Sequence, residues 1–446
     1  MDPLGDLAEF VATATLDAGV RAKTALILAD SIGAMAGGAA EAEVRALGDR
    51  MAASSSGPAP VIGRGLHIAA PVAAFLNGTA GTTLEMDEGN QFCKGHPGMH
   101  VIPAVLAAAA GRPTGGGELL DAIALGYEAA ARVGIATSLR PSMHPHGTWG
   151  AIGAACAVMR LNRQPAAAIR EAMNIAANLG LTTSRRTMLE GGTVRNVFAG
   201  VSNQMGLLAA DLVACGYSGD GDGVGQVFGR VASDRFDAAQ LSEGLGSRWE
   251  VMRNYFKMHS CCRYNHAALD ALQIIKDEAG ALPLAEIDAI LVETYALAVE
   301  LDDPAPKNVL AAKFSVPFAL ATTLVNGSSG VESFAAGLVG NDTIRTLAAR
   351  VRVREDPAMS AQLPANRPAR VTITLRDGRT LSAATRTNRG DWQDPYPLAE
   401  IRAKFLSLTA RLWPAAKAAR TWDMILDLDT APDVADMLRD IAEGGF

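Results

Sequence analysis

Cysteine is scarce in this chain. Five residues scattered over 446, an odd number without regular spacing, exclude a disulfide framework. They point to a reducing cytoplasm as the expected home. An excess of basic charge is also absent. Lys and Arg number 40 against 47 Asp and Glu, a net charge of -7, so nothing favours nucleic acid as a partner. Long apolar runs are missing. Stretches such as 103–110 and 151–159 are too short, and too rich in Ala and Gly, to span a bilayer. The opening Met-Asp-Pro has no basic region leading into an apolar core, so neither a signal peptide nor a membrane role is expected. Aromatics make up only 5%. Finally, no Gly-Lys-[Ser/Thr] loop occurs, and no Gly-x-Gly-x-x-Gly lies between a strand and a helix, which removes the usual nucleotide cradles.

What remains is a folded composition, 49% hydrophobic and 20% charged, of a length that suits two or three domains. The many Ala and the 45 Gly favour helices that approach closely. From about 4 to 279 the pattern is one of short helices and Gly turns. Residues 20–32 carry apolar side chains at helical spacing and are predicted to stop at Gly33. Helical spacing returns at 117–128, 149–161, 165–179 and 203–215. The turn at 216–225 lacks the alternating oxygen ligands and final Glu of a calcium loop, so it reads as surface. Beyond 278 the character changes. Residues 289–295 read as a strand and 313–324 as a helix. Residues 350–353 and 369–375 alternate with period two, and Asp377-Gly378 turns the chain back into 379–384 as a hairpin. Residues 398–441 are helical again. The expected fold is mainly α: a large all-helical domain from 1–266 with 397–446, and a smaller α+β domain from 267–396.

Six of the seven histidines lie between His96 and His266, in three clusters. Imidazole is the side chain best suited to moving protons near neutral pH, and the clusters suggest one proton-transfer site. In the first, Glu85, Asp87, Glu88 and Asn90 precede Lys94, His96 and His100; the plain alternative is a solvated acidic turn. In the second, His144 and His146 flank Gly147-Thr148-Trp149-Gly150, an expected helix start whose backbone N–H groups suit an anion. The plain alternative there is a pair of surface histidines. The third holds Lys257, His259, Arg263 and His266. A lysine beside other cations and partly buried can lose its proton near neutrality and act as a base. Cys261 and Cys262 are adjacent, point apart and have no second pair, so no metal is expected there. Arg185, Arg186 and Arg195 share one Gly-containing loop of an acidic protein, which suggests a carboxylate ligand. Jointly these features suit proton abstraction beside a carboxylate with no cofactor. Candidate catalytic residues are Lys257, His96 and His144. Candidate substrate contacts are Glu85, Asp87, Asn90, His146, Thr148, Arg195, His259 and Arg263.

The ordered set of motifs resembles the MmgE/PrpD family, which includes 2-methylcitrate dehydratase, cis-aconitate decarboxylase and iminodisuccinate epimerase. The likeness is carried by Asn77-Gly78, Glu85-Met86-Asp87-Glu88, His96-Pro97-Gly98, Gly117-Glu118-Leu119-Leu120 and Gly126-Tyr127-Glu128. It continues through His144 with Gly147-Thr148, Leu189-Glu190-Gly191, 257–266 with Asp270, and Lys313-Phe314-Ser315. The resemblance implies a helical domain, a smaller α+β domain covering it, a site between them and a homodimer. It matches the family's acidic position to Glu85, its histidines to His96 and His144, and its lysines to Arg195 and Lys257. A further cationic or imidazole position falls on Cys262 or Arg263. Arginine keeps its proton, so Arg195 is expected to clamp. The expected activity is a cofactor-independent epimerase of a polycarboxylate such as iminodisuccinate. The alternatives are a dehydratase of a citrate-like acid and a non-catalytic organic-acid binder.

Overall fold

A computed structural model describes residues 2–280 and 282–444. The chain is mainly α, with a smaller α+β region, and it builds two buried hydrophobic cores. The first gathers side chains from Leu4 to Phe256 and again from Tyr396 to Ile441. The second runs from Cys261 to Leu375 and takes in Met188.

At the centre of the first core, helix Gly150–Leu161 packs against Gly116–Ala136, Pro97–Ala109, Ala166–Asn178 and Phe198–Ala214. Small residues permit this crowding. A Cβ at Gly153 would lie within contact of both Ala130 and the Gly126 carbonyl. Helix Pro97–Ala109 contains Pro103, whose missing N–H leaves the Met99 carbonyl without its helical partner. Asn203 repairs the gap: its Nδ2 donates to Met99 O at 2.9 Å, and its Oδ1 accepts from Ala104 N at 2.9 Å.

Helix Ala18–Ala39 corrects the expected stop at Gly33. The glycine lies mid-helix because a Cβ there would sit 3.1 Å from the ring of Phe405 on helix Leu398–Thr409. Gly38 is tighter still, since a Cβ would overlap the carbonyl oxygen of Ala80. Gly38→Ala should therefore cost about 1–3 kcal/mol or more of stability, read from the urea midpoint. An unchanged midpoint would mean that the two helices separate freely.

Thr193–Ala214 is a helical stretch of 22 residues, long and apolar enough by composition to cross a membrane. Helical spacing in the sequence marks only its second half, from 203. Half of its apolar window is buried, and its helix packs on Gly150–Leu161 and Ala70–Thr83 as a core element.

The helical region also contains three short antiparallel ladders that the expectation of an all-helical domain left out. One matters for the site. Gly89–Asn90 pairs with Asn254–Tyr255, which brings the acidic turn at 85–88 against Lys257.

The second core is covered by one sheet of β1 (Ile287–Thr294), β2 (Val351–Glu355), β3 (Ala369–Leu375) and β4 (Thr380–Thr385), in the order β4-β3-β1-β2. β1 runs parallel to β2 and antiparallel to β3, and the hairpin turns at Asp377-Gly378 as expected. Helix His266–Ala279 packs on this sheet. The helical segment expected at 398–441 is built of three helices, Leu398–Thr409, Ala415–Leu426 and Ala435–Ala442, all supplying the first core.

Candidate active site

Between the two cores lies a cleft lined on one side by Glu85, His96, His144 and His146, and on the other by Cys262, Arg263, Tyr264 and Arg367. Its remaining walls include Lys94, Arg185, Arg195 and Tyr255.

Glu85 and Lys94 both adopt the left-handed backbone region, at φ 55° and 60°, which non-glycine residues rarely occupy. Two such residues on the wall of one cleft mark a locally strained segment. The Lys94 turn is held by Asn90, whose Oδ1 accepts from Phe92 N at 2.9 Å and Cys93 N at 3.2 Å. Asn90, expected to touch substrate, instead spends its side chain on this turn and on the Glu250 carbonyl.

Glu85 and Arg195 on the cleft wall are the front of a buried charge network. Lys257 Nζ lies 3.4 Å from Glu85 Oε2, 3.5 Å from Asp87 Oδ1 and 3.1 Å from the Glu85 carbonyl. Arg195 pairs with the other oxygen of Glu85. Burial acts to lower the Lys257 ammonium pKa, but Glu85 and Asp87 outweigh it and hold the group above the ordinary lysine value. Burial likewise acts to raise Asp87, and His96 and Lys257 outweigh it, leaving this carboxyl far below the usual range. Lys257, expected to be a base, has no exposed surface and is shared between two buried carboxylates, which favour its ammonium form. It also does not reach the cleft wall.

The histidines supply what Lys257 cannot. His96 Nδ1 faces the Glu88 carbonyl at 2.6 Å, and a carbonyl only accepts, so Nδ1 carries the proton. Asp87 Oδ2, 3.1 Å away, reinforces that arrangement. In the neutral ring Nε2 is then a bare acceptor on the cleft side. His144 has the opposite polarity. Its Nδ1 accepts from the His146 backbone N–H at 3.0 Å, so the proton sits on Nε2. His146 lies edge-on between them, its ring centre 4.7 Å from each. Burial, then the charges of Arg195 and Arg185, push His144 well below the ordinary imidazole range. Burial and Arg195 do the same to His146.

The loop carrying His144 and His146 is fixed by Thr183, whose hydroxyl donates to both of their carbonyls. Thr148 has no cleft surface; its hydroxyl bonds Pro145 O. The anticipated anion site at the start of helix Gly150–Leu161 is likewise closed. His100 donates from Nδ1 to His96 O at 2.8 Å, accepts Gly147 N–H on Nε2 at 3.3 Å, and lies against Gly150. His259 also falls outside the cleft, paired with Asp270 at 3.1 Å and with Ser329. His266 is bound by Arg263 and the Cys261 carbonyl.

Five cations therefore line the cleft against one carboxylate, Glu85. Three have carboxylate partners: Arg195 with Glu85, Arg185 with Glu300 at 2.8 Å, and Arg263 with Asp391 at 2.6 Å. Even so, buried N–H groups remain unmet on Arg185 Nη2, Arg195 Nε and Arg263 Nε. Those three atoms are sealed behind the cleft wall; it is the excess of five cations over one carboxylate along the cleft that fits an anionic ligand. Lys94 and Arg185 were visible in the clusters but not selected from sequence. Tyr255, Tyr264 and Arg367 carried no signal beyond residue type.

Glu88 lies under this wall, its carboxylate accepting from Gly98 N at 2.8 Å and from Tyr127 OH at 3.0 Å. Burial pushes it up to about 8 from an ordinary 4.5. Between those values the unfolded chain has released the proton and the folded chain keeps it, so this contribution to stability is full below about 4.5 and lost as pH rises to about 8. Glu88→Gln should match the wild type in urea at pH 4.5 and exceed it by a few kcal/mol at pH 9. Glu128, pushed up to about 7 by burial, leaves a residual slope in both proteins. Identical pH dependence in the two proteins would refute the assignment.

Comparison with known proteins adds a name for the architecture. The MmgE/PrpD N-terminal domain matches residues 5–232, and the MmgE/PrpD C-terminal domain matches 259–430. A cis-aconitate decarboxylase of Aspergillus terreus is 23% identical over 412 residues, spanning 86% of this chain and 83% of that protein. The cis-aconitate decarboxylase of Mus musculus is 23% identical over 356 residues, 76% of this chain and 72% of its own. That of Homo sapiens is 22% identical over 374 residues, 80% of this chain and 74% of its own. With both halves matched in order around a cleft of histidines and cations, the chain belongs to the MmgE/PrpD family of enzymes.

Proposed function

We propose that this protein is a cofactor-independent lyase that removes a proton from the carbon next to a carboxylate of a citrate-like polycarboxylate. The observation that carries the reading is the opposite pairing of two nearby imidazoles: Nδ1 of His96 faces the Glu88 carbonyl, which leaves Nε2 as the acceptor of a neutral ring, and Nδ1 of His144 faces the His146 N–H, which places the proton on Nε2. Nε2 of His96 takes the α-proton, and the electron pair moves onto the carboxylate oxygens, where the guanidinium of Arg195 stabilises it. The pair then returns to form the carbon–carbon double bond as the β-hydroxyl, hydrogen-bonded by the Nε2–H of His144, leaves with the proton that His96 took, so both imidazoles end neutral. The products are an enoate and water. Lys257 and Asp87 hold the charge balance behind His96 and are not proton carriers. Relatives named as cis-aconitate decarboxylases support a tricarboxylate as the substrate class.

A second reading, an epimerase of the iminodisuccinate type, is favoured by Cys262. Its thiol lines the cleft from the side of the smaller core, and burial pushes it up to about 11, so it keeps a proton to return on the opposite face. The experiment is incubation of purified protein with citrate, 2-methylcitrate, cis-aconitate and the stereoisomers of iminodisuccinate. A lyase changes enoate absorbance near the ultraviolet edge, and Cys262→Ser retains most of that activity. An epimerase changes only the isomer ratio on chiral chromatography, and Cys262→Ser abolishes it. Full recovery of every compound unchanged would end both readings.

A further inference from the structure

Two of the five cleft cations have no carboxylate partner among the described residues, Lys94 and Arg367, and they come from opposite sides of the cleft. Lys94 stands on the strained turn of the first core. Arg367 stands on the segment between helix Pro357–Ser360 and strand β3, which belongs to the smaller α+β region. Both side chains line the same cleft, and Arg367 is the main charge acting to lower the Lys94 pKa. Like charges brought together without an intervening anion are unfavourable, and folds rarely assemble them without a ligand.

The surroundings of Arg367 sharpen this. Its side chain is buried at 4% exposure, with the guanidinium 5.4 Å above the Tyr264 ring. Nη2 donates to the Gln91 carbonyl at 3.0 Å. Nε and Nη1 have no acceptor among the described residues, yet they are not sealed in, so they open into the cleft. Gln91 answers from the other side: its Nε2 donates to the carbonyls of Pro364 and Ala365 at 3.0 and 2.9 Å. The Arg367 segment is thus strapped across the cleft to the chain three residues before Lys94.

We propose that Lys94 and Arg367 form a carboxylate clamp spanning the two halves of the protein, which holds one carboxylate of the substrate away from the reacting carbon and sets specificity for polycarboxylates. This rests on the polycarboxylate reading of the site. Arg367 takes the carboxylate through its two open N–H groups, and Lys94 closes the pair from the mouth of the cleft. The carboxylate replaces the repulsion between the cations with attraction to both.

The test is calorimetric titration of the whole protein with tricarballylate, which has three carboxylates and no leaving group. Arg367→Gln should weaken binding about 10–100-fold, the usual worth of a charge-assisted contact. Lys94→Gln should weaken it less, about 3–10-fold, because that ammonium is solvated. Since both cations hold one carboxylate, the double variant should lose less than the product of the single losses. Arg367→Lys should recover part of the affinity. Arg186→Gln, an exposed charge paired with Glu190 outside the cleft, should bind as the wild type does. Binding by Arg367→Gln and Arg367→Lys within twofold of wild type, or strictly multiplicative losses, overturns the clamp alone. A wild-type protein that ignores tricarballylate overturns the polycarboxylate reading and the clamp with it. Should Arg367→Gln fail to fold, Arg367→Lys and Lys94→Gln with their double variant carry the same test.

Discussion

Replacement of His96 by Gln is expected to lower kcat about 10²–10⁴-fold with little change in KM, the range associated with loss of a positioned general base. The Glu88 carbonyl and Asp87 fix the proton on Nδ1, so Nε2 is the acceptor that faces the cleft. Glutamine fills a similar volume, and its amide can still donate to the Glu88 carbonyl, so the wall stands but no base remains. His144→Gln should also lower kcat, by removing the donor to the leaving group. A His96→Gln variant that turns over substrate at the wild-type rate would remove His96 from the chemistry.

The second large effect is on stability. Lys257→Met should cost about 3–5 kcal/mol, measured by urea unfolding, because it leaves Glu85 and Asp87 buried beside each other without their shared cation. Neither carboxylate is exposed: relative accessibilities are 1% and 0%. Arg195 still serves Glu85 and His96 still serves Asp87, which limits the loss. Lys257→Met resting within about 1 kcal/mol of wild type, with chemistry abolished, would restore the lysine to the role of base that its sequence neighbourhood suggested.

The difference between these two residues shows how far the sequence could be read. Alternation at 369–375 and the Asp377-Gly378 turn located a real hairpin, because period two and turn chemistry are local properties. Gly33 was misread as a helix end for the opposite reason. The glycine leaves room for Phe405, more than 370 residues away, and no local pattern reports that contact. The site follows the same division. The three histidine clusters did converge in part, since His96, His144 and His146 share one wall. Asn90, Thr148 and His259 were polar and nearby in sequence, yet their side chains are spent on local backbone or on a private partner. Lys257 was visible as a cation, but its two counterions, held by the Gly89–Asn90 ladder, were not. Arg367 lies in a stretch without motif or periodicity, and only the path of the chain brings it to the cleft.

The central claim is that His96 exchanges a proton with a carbon next to a carboxylate inside a cationic cleft. It is tested most directly by proton NMR in heavy water, following a panel of di-, tri- and tetracarboxylates in the presence of purified protein. The account predicts that at least one polycarboxylate loses its α-proton signal to deuterium with the wild type, and that His96→Gln slows this by at least about 10²-fold. Absence of exchange into every member of the panel, or equal exchange rates in wild type and His96→Gln, would contradict it.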